Sequence, residues 1–249
     1  MRFDGKTAIV TGAGQGIGEA YAKALATEGA AVAVADLNTE QASRVAAEIE
    51  AKGGVALAVT VDVANAESTI EMAAAVATAF GGIDFLVNNA AIYHGMKIES
   101  LLTVDLDYYR HFLDVNLNGA LLCTRACFAS MSERGGGSIV NQSSTAAWMA
   151  GGYYSISKAA LNSMTVCLAA ELAPRGIRVN GIAPGPTDTE ATRLVVPKEY
   201  IDPLVASLKI KRLGQPQDLV GTLLFLLGDD SAWMTGHMLP VDGGQIVRL

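Results

Sequence analysis

The chain has 249 residues, of which 51% are hydrophobic and 17% charged, and its formal net charge is −7. That balance excludes intrinsic disorder and is sufficient for a full hydrophobic core. The acidic charge argues against nucleic acid or an anionic membrane as partner, since either asks for a basic face. The doublet Lys211-Arg212 is too short to supply one.

Cysteine, histidine and apolar runs narrow the class further. Cys123, Cys127 and Cys167 have no CxxC spacing, and any pairing leaves one over, so a reduced, cytoplasmic compartment is expected. Cys123 and Cys127, four apart on an expected helix, read as core packing. His94, His111 and His237 lack metal-ligand spacing, and no metal is expected. A strand begins almost at once, so no signal peptide is expected. The apolar run Leu223-Leu224-Phe225-Leu226-Leu227 falls far short of a membrane span.

In chain order, TAIVT (7–11), AVAVAD (31–36), VALAVTVDV (55–63), IDFLVNN (83–89), GSIVNQS (137–143), GIRVNGIAP (176–184) and HMLPVD (237–242) read as strands. Between them, 16–28, 39–51, 66–80, 103–134, 154–173 and 216–227 carry helical periodicity and good helix formers. Strict alternation implies βαβ units, hence an α/β architecture with a mostly parallel, seven-stranded sheet between two helical layers. No linker, repeat or low-complexity tract divides the chain, so residues 1–249 are expected to form one domain. The stretch 185–210 breaks the rhythm with Gly185, Pro186, Pro197 and Pro203, and reads as an irregular substrate lid.

The first βα turn reads TGAGQGIG (11–18). In a parallel sheet, ligands bind beyond the carboxyl ends of the strands. There the backbone N–H groups of a helix N-terminus favour an anion, typically a pyrophosphate. Glycines let the main chain approach the phosphates and let helix pack on strand; the plain alternative is a tight turn without a ligand. GxGxxG is not met, because its third glycine would fall on Ile17 or Glu19. The spacing that fits is TGxxxGxG, with Thr11, Gly12, Gly16 and Gly18.

Asp36 closes the second strand at the offset expected of a ribose-binding acid. Its carboxylate suits the adenosine ribose hydroxyls and repels a 2′-phosphate, and neither Leu37 nor Gln15 offers a cation. NAD is therefore expected over NADP, against the alternative of a solvated strand-end acid. Further on, Tyr154 and Lys158 lie at i, i+4, on one face of a helix. A free tyrosine, with a pKa near 10, is a poor base at neutral pH. An adjacent ammonium would stabilise the phenolate and let Tyr154 exchange a proton with an alcohol or ketone. Tyr153 has Ser157, not a cation, four residues on.

Together, TGxxxGxG, the acid-ended second strand and YxxxK resemble the short-chain dehydrogenase/reductase family over essentially the whole chain. The resemblance implies a single-domain, Rossmann-type α/β/α sandwich that binds NAD through Gly12, Gln15, Gly16, Ile17, Gly18, Asp36 and Leu37. Asp62-Val63 looks like the pair that contacts adenine. Asn88-Asn89-Ala90-Ala91 resembles the NNAG element lining the cofactor cleft, with Ala91 in place of its glycine. Asn116 matches the asparagine that holds a water in the proton relay. Pro184-Gly185 with Thr187 and Thr189 matches a segment that binds the nicotinamide carboxamide. In SIVNQSS, Ser144 matches the substrate-orienting serine best, with Ser143 as the alternative.

The reaction so implied is reversible hydride transfer between NAD and a secondary alcohol or ketone. Ser144 would hold the substrate oxygen, Tyr154 exchange its proton, Lys158 lower the tyrosine pKa and bind the nicotinamide ribose, and Asn116 complete the relay. The plain YxxxK argues against an enoyl-reductase variant. The rivals are a 3-oxoacyl-thioester reductase using NADPH and a catalytically silent cofactor-binding regulator. Tyr93, His94, Met96, Trp148, Met149, Val195 and Val196 are candidate pocket residues. They suggest an apolar, cyclic or aromatic substrate, unless several pack at a subunit contact. Helices 103–134 and 154–173 resemble those that pair subunits in the family, implying a homo-oligomer, commonly a tetramer, with a dimer as the alternative.

Overall fold

The computed structural model describes residues 1–195 and 197–247. At its centre lie seven strands: β1 (Thr7–Thr11), β2 (Ala31–Asp36), β3 (Val55–Thr60), β4 (Phe85–Asn88), β5 (Gly137–Gln142), β6 (Ile177–Pro184) and β7 (Met238–Val241). Their order in the sheet is β3-β2-β1-β4-β5-β6-β7. Every pair is parallel, β6–β7 included, where the sequence suggested a mostly parallel sheet.

Alternation along the strands decides which helices cover which face. From β1, Ala8 and Val10 point to a layer that contains Tyr21, Leu25, Val45, Ile49, Leu219 and Leu223. These belong to α1 (Gly16–Thr27), α2 (Thr39–Glu50) and α9 (Pro216–Leu227). Ile9 points the other way, toward Met72, Val76, Cys123, Cys127, Met131 and Leu168. Those come from α3 (Ala66–Phe80), α5 (Gly119–Glu133) and α6 (Gly152–Leu172). Each fully buried Leu, Ile or Val in these layers contributes about 1.5–3 kcal/mol. The result is a three-layer α/β/α sandwich.

The chain leaves β1 for β2 and β3 on one side, then crosses back to β4 on the other. That reversal opens a crevice at the carboxyl ends of β1 and β4, the place where open α/β sheets hold their ligands.

Three segments depart from the sequence expectation. First, 103–134 is not one helix: α4 (Leu106–Leu113), a π-turn (Asp114–Asn118) and α5 follow one another. Asp105 starts α4 late by accepting from the N–H groups of Asp107 and Tyr108 at 3.1 and 2.9 Å. The π-turn coincides with Asn116, whose side chain grips the backbone of Ile92. Second, β3 stops at Thr60, because Asp62 folds back to accept from the N–H of Ala64. Third, 185–210 is not irregular. It contains α7 (Glu190–Val195), started by Thr189, whose hydroxyl accepts from the N–H of Thr192, and α8 (Lys198–Ser207), with Pro203 inside it. Among the described residues no helix is long and apolar enough to cross a membrane.

Candidate active site

A cleft of about 780 Å³ runs along the carboxyl ends of the strands. At one end lies the glycine turn. Gly12 adopts φ +63°, and a Cβ there would stand 2.8 Å from the Ala90 Cα. A Cβ on Gly18 would stand 2.1 Å from the Gly12 carbonyl oxygen. The two glycines therefore let the turn, α1 and β4 pack together, as the spacing TGxxxGxG requires. Asn89 ties the layers by donating to the carbonyls of Thr11 and Gly12, both at 3.0 Å. The Thr11 hydroxyl in turn accepts from the N–H groups of Asn89 and Ala90.

Gln15 precedes α1 in an extended conformation, and its side chain makes no capping bond, so the first-turn N–H groups are not spent on a side chain. Gly16 is open on the cleft side: a Cβ there would meet only Thr189, at 3.8 Å. Asp36 stands beside this turn. Its Oδ2 accepts from the N–H of Gly14 at 2.8 Å, and its Oδ1 accepts from that of Asn38 at 2.9 Å. Each oxygen keeps a lone pair for a further donor. Leu37, Asp62 and Val63 line the same end of the cleft. An anionic dinucleotide with free ribose hydroxyls fits these donors and this acceptor.

At the other end, Ser144, Tyr154, Lys158, Thr187 and Thr189 line the cleft. Just past the end of β5 the chain is still extended and turns the adjacent serines opposite ways. The hydroxyl of Ser143 donates to Asn162 Oδ1 at 2.5 Å, toward α6. Ser144 Oγ accepts instead from the N–H of Ala146 at 3.1 Å and stands beside the hydroxyl of Tyr154. Desolvation by burial pushes the Tyr154 phenol well above its ordinary range; the Ser144 hydroxyl opposes that rise and the neighbouring Tyr93 adds to it. Tyr153 points away, donating to the Lys97 carbonyl within a cluster with Val104 and Phe112.

Lys158 is buried beside the end of β5. Its ammonium donates to the Gln142 carbonyl at 2.9 Å, and the nitrogen stands 5.8 Å from the centroid of the Tyr154 ring. Burial pulls the Lys158 pKa down to about 8. The phenol is raised rather than lowered because desolvation dominates.

Gly18 and Asn116 do not line the cleft. Gly18 packs beneath the turn, as above. Asn116 faces a separate cavity of about 10 Å³, shared with Asn88, Gln142 and Lys158, about the volume one water needs. Both ends of its amide are taken by Ile92, whose N–H donates to Oδ1 at 2.7 Å and whose carbonyl accepts from Nδ2 at 3.1 Å. Of the pocket residues read from sequence, Tyr93, His94, Met96, Met149 and Val195 line the cleft and Trp148 does not. Val196 lies outside the described residues.

A family model described as enoyl-(acyl carrier protein) reductase matches residues 12–245. An uncharacterized oxidoreductase of Mycobacterium tuberculosis is 56% identical over 99% of both chains. The chain belongs to the short-chain dehydrogenase/reductase family.

Other short-chain dehydrogenases/reductases agree over the full length. A 2,5-dichloro-2,5-cyclohexadiene-1,4-diol dehydrogenase of Sphingobium indicum is 38% identical, with 99% of this chain and 98% of the relative covered. A solved 7α-hydroxysteroid dehydrogenase, in complex with NADH and 7-oxo glycochenodeoxycholic acid, superposes with a TM-score of 0.94 at 35% identity. That match covers 100% of this chain and 97% of the other. The chain is thus an oxidoreductase of this family, in which a nicotinamide cofactor binds.

Several cleft residues of this short-chain dehydrogenase/reductase escape sequence reading. Gln41 and Arg44 of α2, His111 of α4, Leu204 of α8 and Gln245 near the C-terminus all line the cleft. Gln245 accepts from the Thr145 hydroxyl at 2.8 Å. No motif marks these residues, because each arrives from a distant element. Only Arg44 carried a signal, as a cation eight residues after Asp36 on the next helix.

Proposed function

We propose that this enzyme interconverts a secondary alcohol and a ketone with NAD as cofactor. The observation that carries the reading is the convergence of Ser144 and Tyr154 at one end of a cleft whose other end holds Asp36 and the N-terminus of α1. Gly12, Gln15, Gly16 and Ile17 would seat the diphosphate, with Gly18 packed beneath them to shape the turn, and Asp36 would hold the adenosine ribose. Leu37, Asp62, Val63, Asn89 and Ala90 would flank the adenosine and the crossing. Tyr154, Lys158, Thr187 and Thr189 would flank the nicotinamide end. Bound there, the cofactor supplies or accepts the hydride.

The chain's own residues manage the oxygen and its proton. The Ser144 hydroxyl donates to the substrate oxygen, and Tyr154, kept protonated by burial, donates its phenolic proton as that oxygen gains charge. In the oxidative direction Tyr154 takes the proton back. Lys158, with a pKa of about 8, is charged at neutral pH and stabilises the phenolate electrostatically. Asn116 and the small cavity beside Lys158 form the next step of the proton path.

Tyr93, Met96, Met149, Val195 and Leu204 give the substrate end an apolar, partly aromatic wall. The Tyr93 ring packs on Tyr154, centroids 5.5 Å apart, and its hydroxyl lies beside Thr192 of α7. The segment 185–210 thus serves as the lid of one catalytic domain. The wall favours an apolar cyclic or aromatic substrate; the cyclohexadienediol and hydroxysteroid relatives, whose named substrates are cyclic, support that choice. Assembly through α5 and α6 in the cytoplasm belongs to the same reading, with Ile156 and Val166 exposed on α6. Loss of NADH absorbance across a panel of cyclic and linear ketones tests the proposal. No turnover of any ketone, with NADH or NADPH, overturns it.

A further inference from the structure

Arg44 of α2 reaches the adenosine end of the cleft, where Asp36, Leu37 and Gln41 also stand. Its Nη2 donates to the Gly14 carbonyl at 2.9 Å, while the N–H of the same Gly14 is held by Asp36. The guanidinium and the Asp36 carboxylate therefore flank one residue. A guanidinium in that place has the charge and the forked donors to bind a ribose 2′-phosphate.

Every nitrogen of Arg44 is already occupied. Nε donates to Gln41 Oε1 at 2.9 Å, Nη1 to Glu48 Oε1 at 2.7 Å, and Nη2 to Glu19 Oε2 at 2.7 Å as well as to Gly14. Lys23 bonds the same two carboxylates from the far side. The cluster of Glu19, Lys23, Arg44 and Glu48 is neutral as a set, so Asp36 and Asp62 supply the net charge at this end of the cleft. Bonds from Lys23 and Arg44 keep Glu48 ionised, with its pKa pulled down to about 2.

We propose that Glu19 and Glu48 act as specificity-determining residues by withholding Arg44 from a 2′-phosphate, so that cofactor preference rests on this restraint as well as on Asp36. The inference rests on the NAD reading above. Its physical basis is competition: a phosphate gains Arg44 only by displacing two carboxylates that already satisfy the fork.

Fluorescence titration with NADH and NADPH tests it in wild type, Glu48→Gln, Glu19→Gln/Glu48→Gln, and that double variant carrying Arg44→Ala. Glu48 is 42% exposed, so Glu48→Gln leaves the core untouched. The expected result is a tenfold or greater gain in NADPH affinity relative to NADH in the double variant. The single variant gains less, and Arg44→Ala removes the gain. A ratio within twofold of wild type in the double variant, or a gain that survives Arg44→Ala, overturns the inference while leaving the NAD reading intact. A wild type that prefers NADPH overturns both.

Discussion

The ammonium of Lys158 stands 5.8 Å from the centre of the Tyr154 ring, yet its hydrogen bond goes to the Gln142 carbonyl. A buried cation so placed costs stability. Its folded pKa, about 8, lies below the ordinary 10.5, so the unfolded chain binds more protons between those values. Wild-type stability therefore rises with pH from about 8 to 10.5, and the full cost is present below pH 8. The difference corresponds to roughly 3 kcal/mol, less about 1 kcal/mol for the lost bond to Gln142. Lys158→Met is expected to raise Tm at pH 7 and to lose that advantage by about pH 10.5. Thermal unfolding from pH 7 to 10.5 is the check, and a Tm at or below wild type at pH 7 contradicts the account.

The same group sets the expected pH profile. Tyr154 holds its proton throughout the neutral range, so ketone reduction is not limited by its protonation there. Lys158 loses its charge as pH rises through about 8. The kcat/KM for reduction should be level from pH 6 to 7.5 and fall above about 8. A rate that climbs through that range would exclude Lys158 as the charge behind the phenol.

Ser144→Ala removes the hydroxyl that stands beside Tyr154, while Ser143, turned to Asn162, cannot replace it. The expected loss in kcat is about 10²–10³-fold, the cost of one donor to a developing alkoxide. Tyr154→Phe should lose about 10³-fold or more with NADH affinity little changed. Steady-state kinetics beside cofactor titration separates the two effects. Full activity in either variant rejects its assigned role.

Asp36 receives the N–H of Gly14 and that of Asn38. Asp36→Asn keeps one acceptor oxygen and loses the charge, so NADH affinity should fall by about tenfold, the worth of roughly 1.4 kcal/mol. Calorimetric titration measures it. An unchanged Kd would remove Asp36 from the ribose site.

Gly18→Ala would press a methyl against the Gly12 carbonyl and Asn89 Nδ2, at 2.1 and 2.5 Å. Neither can retreat, because Asn89 is bonded to Gly12 and Thr11. Overpacking of this kind costs about 1–3 kcal/mol, or roughly 2–10 °C in Tm for a chain of this size. Scanning calorimetry that finds Tm unchanged would show that the turn can yield.

Much of this molecule was legible locally. The short apolar runs at 7–11 and 31–36 and the helix at 66–80 coincide with the observed elements residue for residue. Such segments are decided by side-chain periodicity and nearby caps, such as Asn65 accepting from the N–H of Ser68. Spacing also sufficed to bring Gly12, Asp36, Tyr154 and Lys158 to one cleft, because a βα turn, a strand end and one helix face are short-range objects. The break of 103–134 at a π-turn was not legible, since its cause is the distant backbone of Ile92. Nor were the helices of 185–210, which proline and glycine content had marked as irregular.

The family, the sheet and the site motifs could thus be read from order and spacing along the chain, where each signal involves residues a few positions apart. Two features came only with the folded form: the engagement of Lys158 by Gln142 and the capture of Arg44 by Glu19 and Glu48. Each depends on which groups burial brings within hydrogen-bond reach across elements. Desolvation then sets the protonation that local sequence cannot report.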